Sequence, residues 1–382
     1  KVPIQELIDQ FGYGIQKNPL GIRNFLSFCK AYFTQPLKHV FLMGRGMTYS
    51  EYRIHQNDPY VDNLDLVPTF GFPGSDNLFS ADDLTIPYPK IPIGRLSVVA
   101  GKEVEDYLEK VIQAEAVQKN APNTLAGREW MKNVVHVTGA SDPFLGSVLC
   151  NFMNIYRQII QDTLFGANVS TFCKTSTNPN EQIGSNRLEQ LFEEGISVLT
   201  YFGHSSATTL EFNIDNPQNY NNPGKYPVFF VNGCNAGNFF TYYPQRLQVN
   251  ETLSEKFVLA KQRGSIAFVA STHFGIVNYL NLYLNSLYNT MGKKHYGKTL
   301  GEINQYALQG LLTSTGLFDY YSRIHAEEIT LHGDPALHLN LQPKPDYVIE
   351  SKLITINPSF ISIAEDNFKV QLNIVNLGKA IR

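Results

Sequence analysis

Two apolar runs in the second half of the chain lack a helical period and stop abruptly at glycine. Residues 196–202 (Ile-Ser-Val-Leu-Thr-Tyr-Phe) end at Gly203-His204-Ser205-Ser206, and residues 227–231 (Pro-Val-Phe-Phe-Val) end at Asn232-Gly233-Cys234-Asn235-Ala236-Gly237. Such runs read as strands buried on both faces, of the sort found in the middle of a parallel sheet. Open α/β sheets place their chemistry just past the carboxyl ends of such strands. The pattern therefore delivers a histidine and a cysteine to one sheet edge, the pair needed for a thiol activated by an imidazole.

The same alternation runs through most of the chain. Leu20, Ile22, Phe25, Leu26 and Phe28 give residues 18–33 a helical stripe, and a short strand follows at 39–43. Residues 48–92 are polar and proline-rich and predict a long irregular excursion with short strands. A strand at 91–96 and an amphipathic helix at 101–119, through Val104, Tyr107, Leu108, Val111 and Ile112, close a first half. The second half predicts strands at 134–139, 169–173 and 265–271, besides the two above, with helices at 145–163, 185–194, 253–261, 279–291 and 300–310. This is an α/β fold, a mostly parallel sheet with helices on both faces. The expected domains are a smaller α/β subdomain at 1–125, a catalytic α/β subdomain at 126–342, and an immunoglobulin-like β segment beginning at 343. Beyond Pro343-Lys344-Pro345 the residues alternate apolar and polar with turn signals at Asn357-Pro358 and Leu377-Gly378. The first ten residues resemble the interior of a helical segment, so the chain reads as part of a longer precursor.

Composition narrows the class. With 31 basic and 34 acidic residues and no polybasic block, the chain lacks the electrostatic footprint of a nucleic-acid or membrane-surface binder. No run is long enough to predict a transmembrane segment. Charged residues make up 17%, below the roughly 25% usual in soluble domains, and Tyr and Phe are plentiful, which suits an extracellular surface. The cysteines are Cys29, Cys150, Cys173 and Cys234. A reactive Cys234 leaves three, which argues against a dense disulfide framework but has room for one bridge.

Taken together, Tyr201-Phe202-Gly203-His204, the segment Asn232 to Phe239, residues 266–272 and Gly333-Asp334-Pro335 resemble, in content and order, the gingipain-type C25 cysteine peptidases of the caspase-like clan. Ile91-Pro92-Ile93-Gly94-Arg95-Leu96-Ser97 looks like the close of that family's first subdomain. The resemblance covers most of residues 40–340. It implies a caspase/gingipain-like fold followed by an immunoglobulin-like segment, a peptide or protein substrate, and a secreted or cell-surface bacterial protein exported by the type IX system. Two other readings stay open, a catalytically silent binding or adhesion module and a sortase-type transpeptidase of that system.

The resemblance also assigns roles. Cys234 is the nucleophile and His204 its base, with the backbone N–H groups of Cys234 and Ser205 as the oxyanion hole. Ser205 departs from the family, which has a glycine there, free to take a positive φ. By counting, Ser141 takes the place of the acid that orients the imidazole, which makes Asp142, one step later, the candidate; its other role is to cap the following helix. Gly203, Gly233, Ser271, Thr272, His273 and Phe274 are expected to line the substrate pocket, whose aromatic wall suits an apolar side chain. The acid behind the family's arginine or lysine preference lies in an insertion that is shortened here. No cofactor is required; calcium is the metal the resemblance allows, with Asp76, Asp82 and Asp83 as clustered donors that read equally as a solvated loop. No zinc spacing occurs, His136 reads as a core histidine and His332 as part of a turn.

Overall fold

The structure, a computed structural model, describes residues 1–174, 182–212, 214–339, 342–360 and 367–381. Its strands are β1 (Val40–Met43), β2 (Ile93–Leu96), β3 (Asn133–Gly139), β4 (Asn168–Phe172), β5 (Val198–Gly203), β6 (Val228–Asn232), β7 (Ala267–Ser271) and β8 (Ile329–His332). Among the described residues they form one sheet of order β1-β2-β8-β7-β6-β5-β3-β4. All neighbours are parallel except β7 and β8. β8 lies between the strands of the first 125 residues, β1 and β2, and the block that carries His204 and Cys234.

Helices cover both faces, as the unbroken apolar strands require. In chain order they are α1 (Ile4–Phe11), α2 (Leu20–Tyr32), α3 (Tyr49–His55), α4 (Val61–Leu64), α5 (Gly101–Asn120), α6 (Leu125–Arg128), α7 (Pro143–Gln161), α8 (Gln182–Glu194), α9 (Leu253–Val258), α10 (Val277–Asn289), α11 (Leu300–Thr315) and α12 (Tyr320–Glu328). On one face Val198, Val228, Phe230 and Val269 pack against Met153 of α7, Leu284 of α10 and Leu308 of α11. On the other Leu199, Tyr201, Phe229 and Phe268 pack against Phe192 of α8 and Phe257 of α9. Burying each such side chain contributes about 1.5–3 kcal/mol, which is what fixes the strand ends relative to one another.

One expectation changes. The excursion at 48–92 holds no strand; Thr48 caps α3 by accepting the Glu51 N–H, and Val61 and Leu64 of α4 pack on Met47. The tyrosine-rich stretch before β8 is helical as α12, because Asp319 caps it through the Ser322 N–H. The tail forms two small antiparallel pairs, Tyr347–Val348 with Val375–Asn376 and Ile354–Asn357 with Lys369–Leu372. Residues 361–366 and Arg382, within the expected β segment, lie outside the described residues. Cys150 and Cys173 form a disulfide from α7 to the end of β4, leaving Cys29 and Cys234 as free thiols. No helix among the described residues is long and apolar enough to cross a membrane.

Candidate active site

Sheet register sets the site. Phe202 of β5 lies opposite Asn232 of β6, so counting two residues on from each brings His204 and Cys234 to the same height on neighbouring chains. The backbones there approach closely: a Cβ on Gly233 would fall 2.2 Å from Ser205 Oγ and 2.4 Å from the Gly203 carbonyl. A side chain at 233 would push the two loops apart. Ser205 Oγ donates to the Cys234 carbonyl at 2.8 Å and ties the loops directly. Cys234 is half-buried and His204 exposed.

The turn after Cys234 is held against the loop following β7. Asn235 adopts φ +58°, a region that asparagine tolerates. Its N–H donates to the His273 carbonyl at 2.7 Å, and the Gly237 N–H donates to Ser271 at 2.9 Å. The Cys234 thiol points to the Gly275 carbonyl at 3.9 Å. Ser205 is absent from the positive-φ residues among those described, so serine carries no backbone strain where glycine was expected. Among the described residues neither the Ser205 nor the Cys234 N–H meets a protein acceptor. Two free donors beside a thiol are what an oxyanion would need.

The His204 backbone is fixed from below. Its N–H donates to Gly139 of β3 at 2.7 Å, and its carbonyl accepts the Tyr201 hydroxyl at 2.5 Å and the Glu211 N–H at 3.3 Å. Tyr201 is fully buried, and burial pushes its phenol far up, so the hydroxyl stays a donor. Asp142 caps α7 instead, its Oδ1 accepting the Leu145 N–H at 2.7 Å. Among the described residues no carboxylate lies within ion-pair distance of the His204 ring.

Ser271 and Thr272 are buried, while His273 and Phe274 stand forward with their ring centroids 4.6 Å apart. Phe72, from the excursion, meets His273 edge-on at 5.7 Å and extends the aromatic wall. Thr272 donates through Oγ1 to Gly74 at 2.7 Å and through its N–H to Glu328 at 3.0 Å. Behind this loop, His325 donates from Nδ1 to Tyr321 and accepts the Ile276 N–H at Nε2. That pattern makes the imidazole neutral, in keeping with burial, which lowers its pKa. His325 and Glu328 lie 3.8 Å apart but are no ion pair, because burial pushes the Glu328 carboxyl up to about 9 and both its oxygens lack partners among the described residues. Stability from the neutral Glu328 is complete below about pH 4.5 and is lost as pH climbs through about 9. Glu328→Gln is therefore expected to stabilise the fold by on the order of a few kcal/mol at pH 8 and hardly at pH 4, read as melting temperature across that range.

The three carboxylates considered for calcium do not converge. Asp76 is buried with both oxygens on Arg95 at 2.7 Å, Asp82 pairs with Lys30, and Asp83 caps the Thr85 N–H. Among the described residues no group of three His, Cys, Asp or Glu side chains is arranged to hold a metal. His136 is a buried core histidine, hydrogen-bonded to the Tyr288 hydroxyl at 2.6 Å. The bonds by which Tyr201 holds the His204 carbonyl and His325 holds the loop after β7 depend on packing and were not legible in the sequence.

The sequence model of peptidase family C25 matches residues 1–340. Among solved structures, the complex of the Porphyromonas gingivalis RgpB pro- and mature domains superposes with a TM-score of 0.65 at 16% identity, covering 90% of this chain and 75% of that one. The Arg-specific cysteine proteinase gingipain R (RgpB) gives a TM-score of 0.63 at 16% identity, over 91% of this chain and 78% of that one. A search of curated proteins finds no match. At these identities the neighbours establish the fold, a gingipain-like α/β architecture, and the match over most of the sequence establishes the family: the chain belongs to peptidase family C25.

Proposed function

We propose that the protein is a cysteine endopeptidase of the gingipain type, with Cys234 as nucleophile and His204 as its acid and base. The observation that carries this reading is the β5–β6 register, which levels a half-buried free thiol with an imidazole. Cys234 Sγ attacks the peptide carbonyl carbon, and its proton passes through His204 to the departing amine. The oxyanion is held by the N–H groups of Ser205 and Cys234, each worth on the order of a few kcal/mol of barrier. Water, deprotonated by His204, then cleaves the thioester and restores the thiol.

Phe72, His273 and Phe274 form an aromatic wall beside the thiol, and Glu328 behind it is held neutral, so the reading favours an apolar residue on the acyl side of the cut. The Cys150–Cys173 disulfide supports an oxidising location, secreted or cell-surface, by the type IX route that the family resemblance implies.

Digestion of a peptide library, followed by mass spectrometry, tests the reaction. The wild type is expected to cut after apolar residues and Cys234→Ala to leave the library intact. An added amine that captures most of the acyl group instead of water would make the enzyme a transpeptidase. Identical, uncut libraries would remove the enzyme reading.

A further inference from the structure

The segment after His204 doubles back on itself. Ser205 bridges Leu210 in antiparallel fashion, the Ser206 N–H donates to Thr209 at 2.9 Å, and the Glu211 N–H donates to His204 at 3.3 Å. His204 and Glu211 are thus direct cross-strand partners. Such partners project from the same face with Cβ atoms about 4.5–5.5 Å apart. Glu211 therefore leaves the ribbon on the face that carries the His204 side chain, although seven residues separate the two in sequence and the carboxylate makes no ion pair with the ring in this conformation.

The carboxylate is itself held from one side. Ser141 Oγ donates to Glu211 Oε2 at 3.1 Å, and Lys174 Nζ, on a fully buried side chain, lies 3.9 Å from the same oxygen. Lys174 in turn reaches Ser141 Oγ at 3.5 Å. Oε1 makes no hydrogen bond or ion pair among the described residues, which leaves it for the ring. The other charged or titratable groups around the pair are Cys234 on the β6 side, Tyr201 beneath the His204 carbonyl, and Asp142, whose Oδ1 caps α7.

We propose that Glu211 is the positioning residue of the dyad: its free oxygen orients the His204 ring toward Cys234 and favours the imidazolium that accompanies the thiolate. This rests on the reading of Cys234 and His204 as a dyad. Ser141 and Lys174 aim the carboxylate from the side away from Oε1.

The test needs no substrate. Iodoacetamide reacts with the thiolate, so its rate at Cys234 as a function of pH reads the dyad in the full chain. Glu211→Gln is expected to slow alkylation near pH 6 about tenfold and to narrow the pH range of fast reaction, since an opposite charge at this spacing shifts such equilibria by about one unit or more. Glu211→Asp restores most of the rate, and melting curves show whether each variant is folded. Where Glu211→Gln does not fold, Ser141→Ala carries the test, with a severalfold fall expected and an unchanged profile overturning the assignment. If His204→Ala alters the profile while Glu211→Gln leaves it as in the wild type, the role given to Glu211 is wrong and the dyad stands. If neither variant alters it, the dyad and the positioning residue fall together.

Discussion

His204→Ala is expected to lower kcat/KM on a cleaved peptide by at least about 10³-fold, Cys234→Ala by no less, and the double variant by no more than the worse single one. A thiol is mostly protonated at neutral pH, so losing the imidazole removes both the base that forms the thiolate and the acid that protonates the leaving amine. Removing the sulfur removes the acyl intermediate itself. Groups acting as one unit are not additive, and that failure of additivity separates a dyad from two residues that merely share a cleft. The fold should survive both changes, because His204 is exposed and the Cys234 thiol makes one hydrogen bond among the described residues, a long one at 3.9 Å to Gly275. Rates within tenfold of the wild type for His204→Ala would leave the thiol without this partner.

Glu255→Gln is expected to cost about 3–5 kcal/mol of stability, measured by urea unfolding. Glu255 is fully buried at the start of α9, where its Oε1 accepts from Arg45 at 3.1 Å, Arg246 at 2.6 Å and Ser97 at 2.7 Å, and its Oε2 accepts from Thr252 at 2.7 Å. Burial alone would raise its pKa, but the two guanidinium groups and these hydrogen bonds hold it at about 2. The amide leaves two buried cations without a counter-charge. The damage should reach the site, because Arg246 also donates to the carbonyls of Phe239 and Thr241, which fix the chain just beyond Cys234. As the folded pKa is depressed, this contribution is present above about pH 4.5 and is lost as pH falls through about 2. A loss below about 1 kcal/mol would mean that the cluster is hydrated rather than sealed.

The strands that carry the chemistry were legible because burial on both faces leaves an unbroken apolar signature that few other structures share. Residues 196–202 and 227–231 gave β5 and β6 to within two residues, and with them His204 and Cys234. The β7–β8 reversal was not legible, since a short apolar strand reads the same in either direction. Glu211 was hidden for a different reason. Its place depends on a four-residue reversal in which Ser206 Oγ accepts the N–H groups of Thr208 and Thr209. Ser-Ala-Thr-Thr is a serine turn in retrospect, but its side-chain bonds form no periodic pattern. Asp142 stood one residue past the counted position after β3, and a polar residue directly before Pro143 meets an unsatisfied helix N-terminus, which Asp142 caps here.

The nucleophile itself can be tested in one experiment. A peptide bearing a thiol-reactive ketone after an apolar residue is incubated with the native protein at neutral pH, and the adduct is mapped by mass spectrometry. Cys29 serves as the internal control, since it is buried and burial pushes its thiol up. A single adduct on Cys234, absent from His204→Ala and lost on unfolding, is the expected result; an unmodified Cys234 in the folded wild type, or equal labelling of native and unfolded protein, would contradict it.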